Sequence, residues 1–203
     1  MAHNYNLQRP HLFDFGAVME ATTDAVKAAT WAMEVGLQEK AMLCPQCAQP
    51  MRLNARARYW QCCRKTRHPD GNQEQCSIFV NSWFSKMKLT LPKALRLMIE
   101  WCMRAPQSQA AHMAKVSQNT VSDWYAGCRV LCSKEPLNGE FKDDWEIHIK
   151  RHIKAIRGMK KDYLDGYLDE YMWRSWFLPA RSSPGEYMCG LAQAVIRHPK
   201  QEE

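Results

Sequence analysis

Residues 44–63 read CPQCAQPMRLNARARYWQCC, and this stretch decides how the chain is organised. Cys44 and Cys47 are separated by two residues, so a tight turn brings both sulfurs to one side, where they can grip one zinc ion. A tetrahedral site needs a second pair, and Cys62 or Cys63 with Cys76 can supply it. Arg52, Arg56, Arg58, Arg64, Lys65 and Arg67 surround these cysteines, and positive charge favours thiolates. RARYWQCC and CSIFVNSWF are rich in aromatic and β-branched residues, and HPDGNQEQ is a polar loop. The segment therefore reads as small strands folded around a site rather than around a core. Cysteines without metal and a redox Cys-x-x-Cys are the alternatives. The second lacks the βαβ pattern that accompanies it. Nine cysteines, an odd number, and no sign of export argue against a disulfide framework.

On either side of this segment the periodicity is helical. Thr23 or Asp24 can cap a helix running to about Val35, which Gly36 then stops. Thr90 can cap a second helix with Leu95, Met98, Ile99, Cys102 and Met103 on one face, and Pro106 interrupts it. SQAAHMAKV forms a short helix. Ser117 caps a longer one whose apolar face is Val121, Trp124, Tyr125, Cys128, Leu131 and Cys132. Residues 145–158 and 162–178 repeat the helical pattern, and a last short helix covers Tyr187–Arg197.

The 203 residues carry a net charge of +7, unevenly distributed. Residues 41–90 hold eight Lys/Arg against two Asp/Glu, and residues 91–134 hold six against two. Both flanking segments are slightly acidic. A localised basic stretch points to a polyanion, most commonly nucleic acid. The 46% hydrophobic content supports a folded core, and no apolar run approaches the roughly 18 residues of a membrane span. MAHNYNLQRPHLFDF lacks the basic start and apolar block of a signal peptide, so export is not expected.

The helical pair in 108–132 fits a helix–turn–helix, with the second helix entering a major groove by its N-terminus. Gln118, Asn119, Thr120 and Ser122 would face base edges, because amides and hydroxyls both donate and accept. Arg129 would meet a phosphate, as would Arg56, Arg58, Arg64 and Lys65. Three further patterns have plainer readings. His148 and His152 lie four apart, but HIKRH lacks the glutamate of a metalloprotease helix and reads as a solvated face. Asp143, Asp144 and Glu146 suit a helix N-terminus better than a Mg²⁺ site. Tyr163, Tyr167, Tyr171, Trp173 and Trp176 form a packing face before they form a base-stacking one.

The order CPQC, YWQC, CSIFVNSWFSKMKLTL and SQAAHMAKVSQNTVSDWYAGCRVLC resembles the N-terminal half of Merlin-type DNA transposases. KKDYLDGYLDEYMWR resembles their last helix, and together the likeness spans roughly residues 30–132 and 145–178. It implies a zinc-ribbon, a helix–turn–helix and an RNase H-like domain whose acidic residues hold two Mg²⁺ ions for phosphoryl transfer. It also selects Cys62 over Cys63, because YWQC ends on Cys62, giving the ligand set Cys44, Cys47, Cys62 and Cys76. The third acidic position falls near Glu146. Between Cys132 and Trp145 stands only SKEPLNGEFKDD, where the family carries its catalytic strands.

The expected architecture is mainly α with a small zinc-ribbon. An N-terminal helical segment covers 1–43, a zinc-ribbon 44–89, a helix–turn–helix 90–132, a linker 133–144 and a C-terminal helical remnant 145–203. The expected function is binding of duplex DNA, transposon ends among its candidates, by a transposase-derived protein without strand transfer. A fragment or splice form of an active transposase and a zinc-dependent protein-interaction module are the rivals. Structural zinc is the expected cofactor, with Mg²⁺ only for a full-length catalytic form. No membrane partner is expected, self-association is left open, and the location is nuclear in a eukaryote and cytoplasmic otherwise.

Overall fold

The computed structural model describes residues 5–85, 87–135, 154, 161–176, 178–179 and 181–199. It is mainly helical, with one small three-stranded sheet. The chain divides into two units: residues 16–95 with 195–203, and residues 1–15 with 96–194. Among the described residues no helix is long and apolar enough to cross a membrane.

In the unit built on residues 16–95, helices α1 (Phe15–Ala21) and α2 (Ala25–Glu34) come first. Asp24 starts α2, its carboxylate accepting from the backbone N–H groups of Val26 and Lys27 at 2.8 and 2.9 Å. Those donors have no partner inside the helix, so the cap contributes about 1 kcal/mol. Gly36 follows the helix with a positive φ of 83°, a conformation glycine adopts without penalty. The sheet has the order β1 (Arg52–Asn54), β2 (Tyr59–Gln61), β3 (Gln75–Ser77), antiparallel throughout. Leu53 faces Trp60, and Trp60 faces Cys76. Trp60, Ile78, Trp83 and Phe84 are buried, a small core for three-residue strands.

The other unit is helical. It takes in most of α3 (Leu91–Cys102), then α4 (Gln107–Ala114), α5 (Gln118–Lys134), α6 (Leu164–Trp176) and most of α7 (Pro184–Arg197). A three-residue turn, Lys115–Ser117, joins α4 to α5. Lys115 is left-handed at φ 52°, and Ser117 Oγ accepts from the Thr120 N–H at 3.2 Å. Along α5 the buried residues are Val121, Tyr125, Cys128, Arg129, Leu131 and Cys132, so an arginine joins the expected apolar stripe. Met103, expected on the apolar face of α3, is exposed.

Trp173 is the centre of this core. It is fully buried, and its indole N–H donates to the Tyr5 hydroxyl at 2.6 Å, which in turn donates to Glu135 at 2.9 Å. Trp101 and Tyr187 lie with ring centroids 5.7 and 6.2 Å from it. Arg174, next in sequence, is buried too. It donates to the carbonyls of Trp101 and Cys102 and to Glu170. These bonds satisfy a charge that would otherwise be costly to bury. The expected remnant helix in 145–158, with Asp143, Asp144, Glu146, His148 and His152, lies outside the described residues.

Candidate metal centre

The Cys-Pro-Gln-Cys turn is built by the backbone around it. Leu43 bridges Pro50, and the Met51 N–H donates to the Met42 carbonyl at 2.8 Å. Inside that clasp the Cys44 N–H donates to Gln49 and the Ala48 N–H to Cys44, both at 2.8 Å. Closing the turn so tightly puts Ala48 in the left-handed region at φ 52°. The β1–β2 hairpin then carries the chain back. Arg58 is left-handed at φ 62° in its turn, and Cys62 follows directly after β2. Gln73 donates to the Cys62 carbonyl at 3.0 Å, and the Cys62 N–H donates to Glu74 at 2.9 Å, so both sides of Cys62 are fixed.

Cys44, Cys47, Cys62 and His68 converge, with one donor atom from each lying within 4.8 Å of all the others. The Cys47 and Cys62 sulfurs are 3.7 Å apart, and Cys44 Sγ is 3.3 Å from His68 Nε2. Four ligands around zinc, with bonds of about 2.3 Å to sulfur, place two sulfurs about 3.8 Å from one another. The spacing and the Cys₃His donor set therefore suit a zinc ribbon. Cys44, Cys62 and His68 are buried and Cys47 is half-buried, which closes the site in the manner of a structural rather than a catalytic centre.

The partners of the donors point the same way. His68 Nδ1 donates to the Asn72 carbonyl at 2.6 Å, which fixes the ring with Nε2 turned to the sulfurs. The Arg64 N–H donates to Cys62 Sγ at 3.4 Å. A backbone N–H bond from Gln49, then bonds with His68 and the other two thiols, bring the Cys47 thiol down to about 7. The Asn72 carbonyl, then Cys47 and Cys44, lift the His68 imidazole to about 9. Cys47 is thus partly ionised near neutral pH, while the neighbouring thiols Cys47 and Cys44 push the Cys62 thiol up, and a bound metal would displace the remaining thiol and imidazole protons.

The fourth member is His68, not Cys76. The ladder holds Cys76 opposite Trp60, while Cys62 lies two residues further along and bonds to Glu74. Two residues of strand are about 6.8 Å, too far for a shared ion. The 3-10 turn Lys65–Arg67 instead returns the chain so that His68 reaches the sulfurs. A histidine six residues after Cys62 and directly before Pro-Asp-Gly was the available sequence signal. Cys63, the other candidate, is exposed and outside the group.

Arg56, Arg58 and Arg64 are exposed, as expected of cations that meet solvent or a polyanion, while the Lys65 side chain lies outside the described residues. Gln118 and Asn119 are exposed in the first turn of α5, and Thr120 and Ser122 are half-buried. Arg129 departs from its expected place. It is 8% exposed, and its guanidinium sits 4.3 Å over the Tyr167 ring. Helix α5 turns it onto α6, where stacking holds it away from any phosphate on the outer face. Compared with known protein families, with curated proteins and with solved structures, the chain matches none.

Proposed function

We propose that this chain is a zinc-held DNA-binding protein of transposase descent, which occupies duplex DNA without strand transfer. The observation that carries the reading is the start of α5. Gln118 and Asn119 project from it while Val121, Tyr125 and Cys128 bury the opposite side. A short helix, a three-residue turn and a longer helix with free amides at its N-terminus are the parts that a helix–turn–helix uses in a major groove. The second support is the basic segment 41–90, which includes the exposed Arg56, Arg58 and Arg64 and the Cys₃His group. Descent rests on the CSIFVNSWFSK and YLDEYMWR strings. The absence of strand transfer rests on the twelve residues between Cys132 and Trp145, too few to fold the strands of a two-metal site.

Fluorescence anisotropy on labelled duplexes tests the reading. About five phosphate contacts give a log–log salt slope of about −4 to −5. Joint substitution of Arg56, Arg58, Arg64 and Lys65 by Gln should weaken all sequences alike. Asn119→Ala should instead relax base preference, by about 1–3 kcal/mol for a bidentate contact. Binding indifferent to salt would sink the proposal, and DNA cleavage by the purified chain with Mg²⁺ would overturn its second half.

A further inference from the structure

The helical unit carries an open cavity of about 270 Å³ lined by α5, α6 and the segment leading into α4. Its walls are aromatic, with Trp101, Tyr125, Tyr167 and Tyr171 among them. Three arginines and one carboxylate also line it. Arg174 and Glu170 are bonded to each other at 2.8 Å and cancel. Arg129 and Arg104 remain. Arg129 is more than nine-tenths buried, yet its guanidinium has neither a hydrogen bond nor an ion pair among the described residues; it only stacks on Tyr167. Arginine keeps its charge at any pH a protein survives, so this is a largely buried cation in the wall of a cavity.

A second feature of the same wall points to the same charge. Helix α4 starts at Gln107, and its N-cap is Pro106, which offers no side-chain acceptor to the open N–H groups of the first turn. Pro106 and Gln107 both line the cavity. An uncapped helix start and a buried, unpartnered arginine each favour an anion. Their joint occurrence around one space makes a built site rather than a chance packing defect.

We propose that this cavity binds a small aryl carboxylate, its carboxylate on Arg129 and the start of α4 and its ring between the tyrosines. The volume takes one ring, or two fused ones, with a short acidic arm. A carboxylate fits the planar fork of the guanidinium with two parallel bonds. The aromatic walls add the stacking and apolar contact that a bare inorganic anion cannot use. This site is independent of the DNA-binding reading.

Calorimetric titration of the full chain with benzoate, benzamide and inorganic phosphate tests the proposal. Benzoate should bind saturably, and benzamide, its neutral isostere, at least about tenfold more weakly, since a bond to a charged group is lost. Inorganic phosphate should also bind more weakly than benzoate. Arg129→Met should bring benzoate down to the level of benzamide and leave benzamide unchanged. If Arg129→Met does not fold, the benzoate-to-benzamide ratio of the parent chain decides, with the exposed Arg104→Gln as a variant expected to weaken benzoate alone. Equal binding of benzoate and benzamide, phosphate bound as tightly as benzoate, or no saturable binding overturns the proposal.

Discussion

His68 Nε2 stands 3.3 Å from Cys44 Sγ across 24 residues of chain. That contact replaces the all-cysteine site expected from the sequence with a Cys₃His group, and it separates two variants that would otherwise look alike. His68→Ala should abolish tight binding of one zinc per chain, whereas Cys76→Ser should retain it. Metal content after dialysis, measured by elemental analysis, checks both. Metal loss in the Cys76 variant alone would restore the all-cysteine assignment.

Glu100 gives the chain a pH dependence of its own. The residue is buried, Oε2 has no hydrogen-bond partner, and burial raises its carboxyl above the ordinary range. Tyr125 in α5 is close enough to feel its charge. A carboxyl raised by folding binds its proton more tightly in the native state, so its contribution is present below the ordinary carboxyl range. That contribution is lost as pH rises through the raised value. Glu100→Gln should therefore raise the melting temperature at neutral pH and flatten the slope between mildly acidic and neutral solution. Comparing the variant with the parent cancels every other titrating group.

Gly185, the second residue of α7, has no room for a side chain. A Cβ there would lie 2.7 Å from the Pro10 carbonyl oxygen and 3.3 Å from the Asp14 nitrogen, both backbone atoms. Gly185→Ala must push the 10–14 segment away from the helix start, at a cost of about 1–3 kcal/mol. Urea unfolding followed by tryptophan fluorescence, which reports on Trp173, measures it.

Lys115 occupies the left-handed position that ends α4, at φ 52° and ψ 58°. Lys115→Gly should relieve about 1 kcal/mol of backbone strain there and stabilise the turn, because glycine takes the left-handed angle without a Cβ clash. Ser117→Ala, two residues on, should cost about 1 kcal/mol by removing the cap on Thr120. Opposite signs from neighbouring substitutions, read in one denaturation series, test the account of this turn.

Helix ends were the most legible part of the sequence. Asp24, Gly36 and Ser117 act locally, through hydrogen bonds within three residues or through a single backbone angle, and each stands where its chemistry requires. The Cys-Pro-Gln-Cys turn was legible for the same reason. His68 was not, because what brings it to the sulfurs is the strand register and a 3-10 turn, and neither leaves a periodic trace. Arg129 was misleading in the other direction. A cation four residues along from Tyr125 reads as surface until α6 arrives from more than thirty residues away and supplies Tyr167 to stack on.

The strands of the ribbon are three residues long and pair over three rungs at each edge. Isolated ladders of that size do not hold themselves together in water. A zinc ion joining Cys47 to Cys62 and Cys44 to His68 would make unfolding of this segment a dissociation reaction in which the ion is one of the products. Its equilibrium then follows the law of mass action. Each tenfold rise in free zinc above the dissociation constant adds about 1.4 kcal/mol to the folded side, and each tenfold fall removes as much. How well this segment holds its shape would then be set as much by the surrounding solution as by the amino-acid sequence.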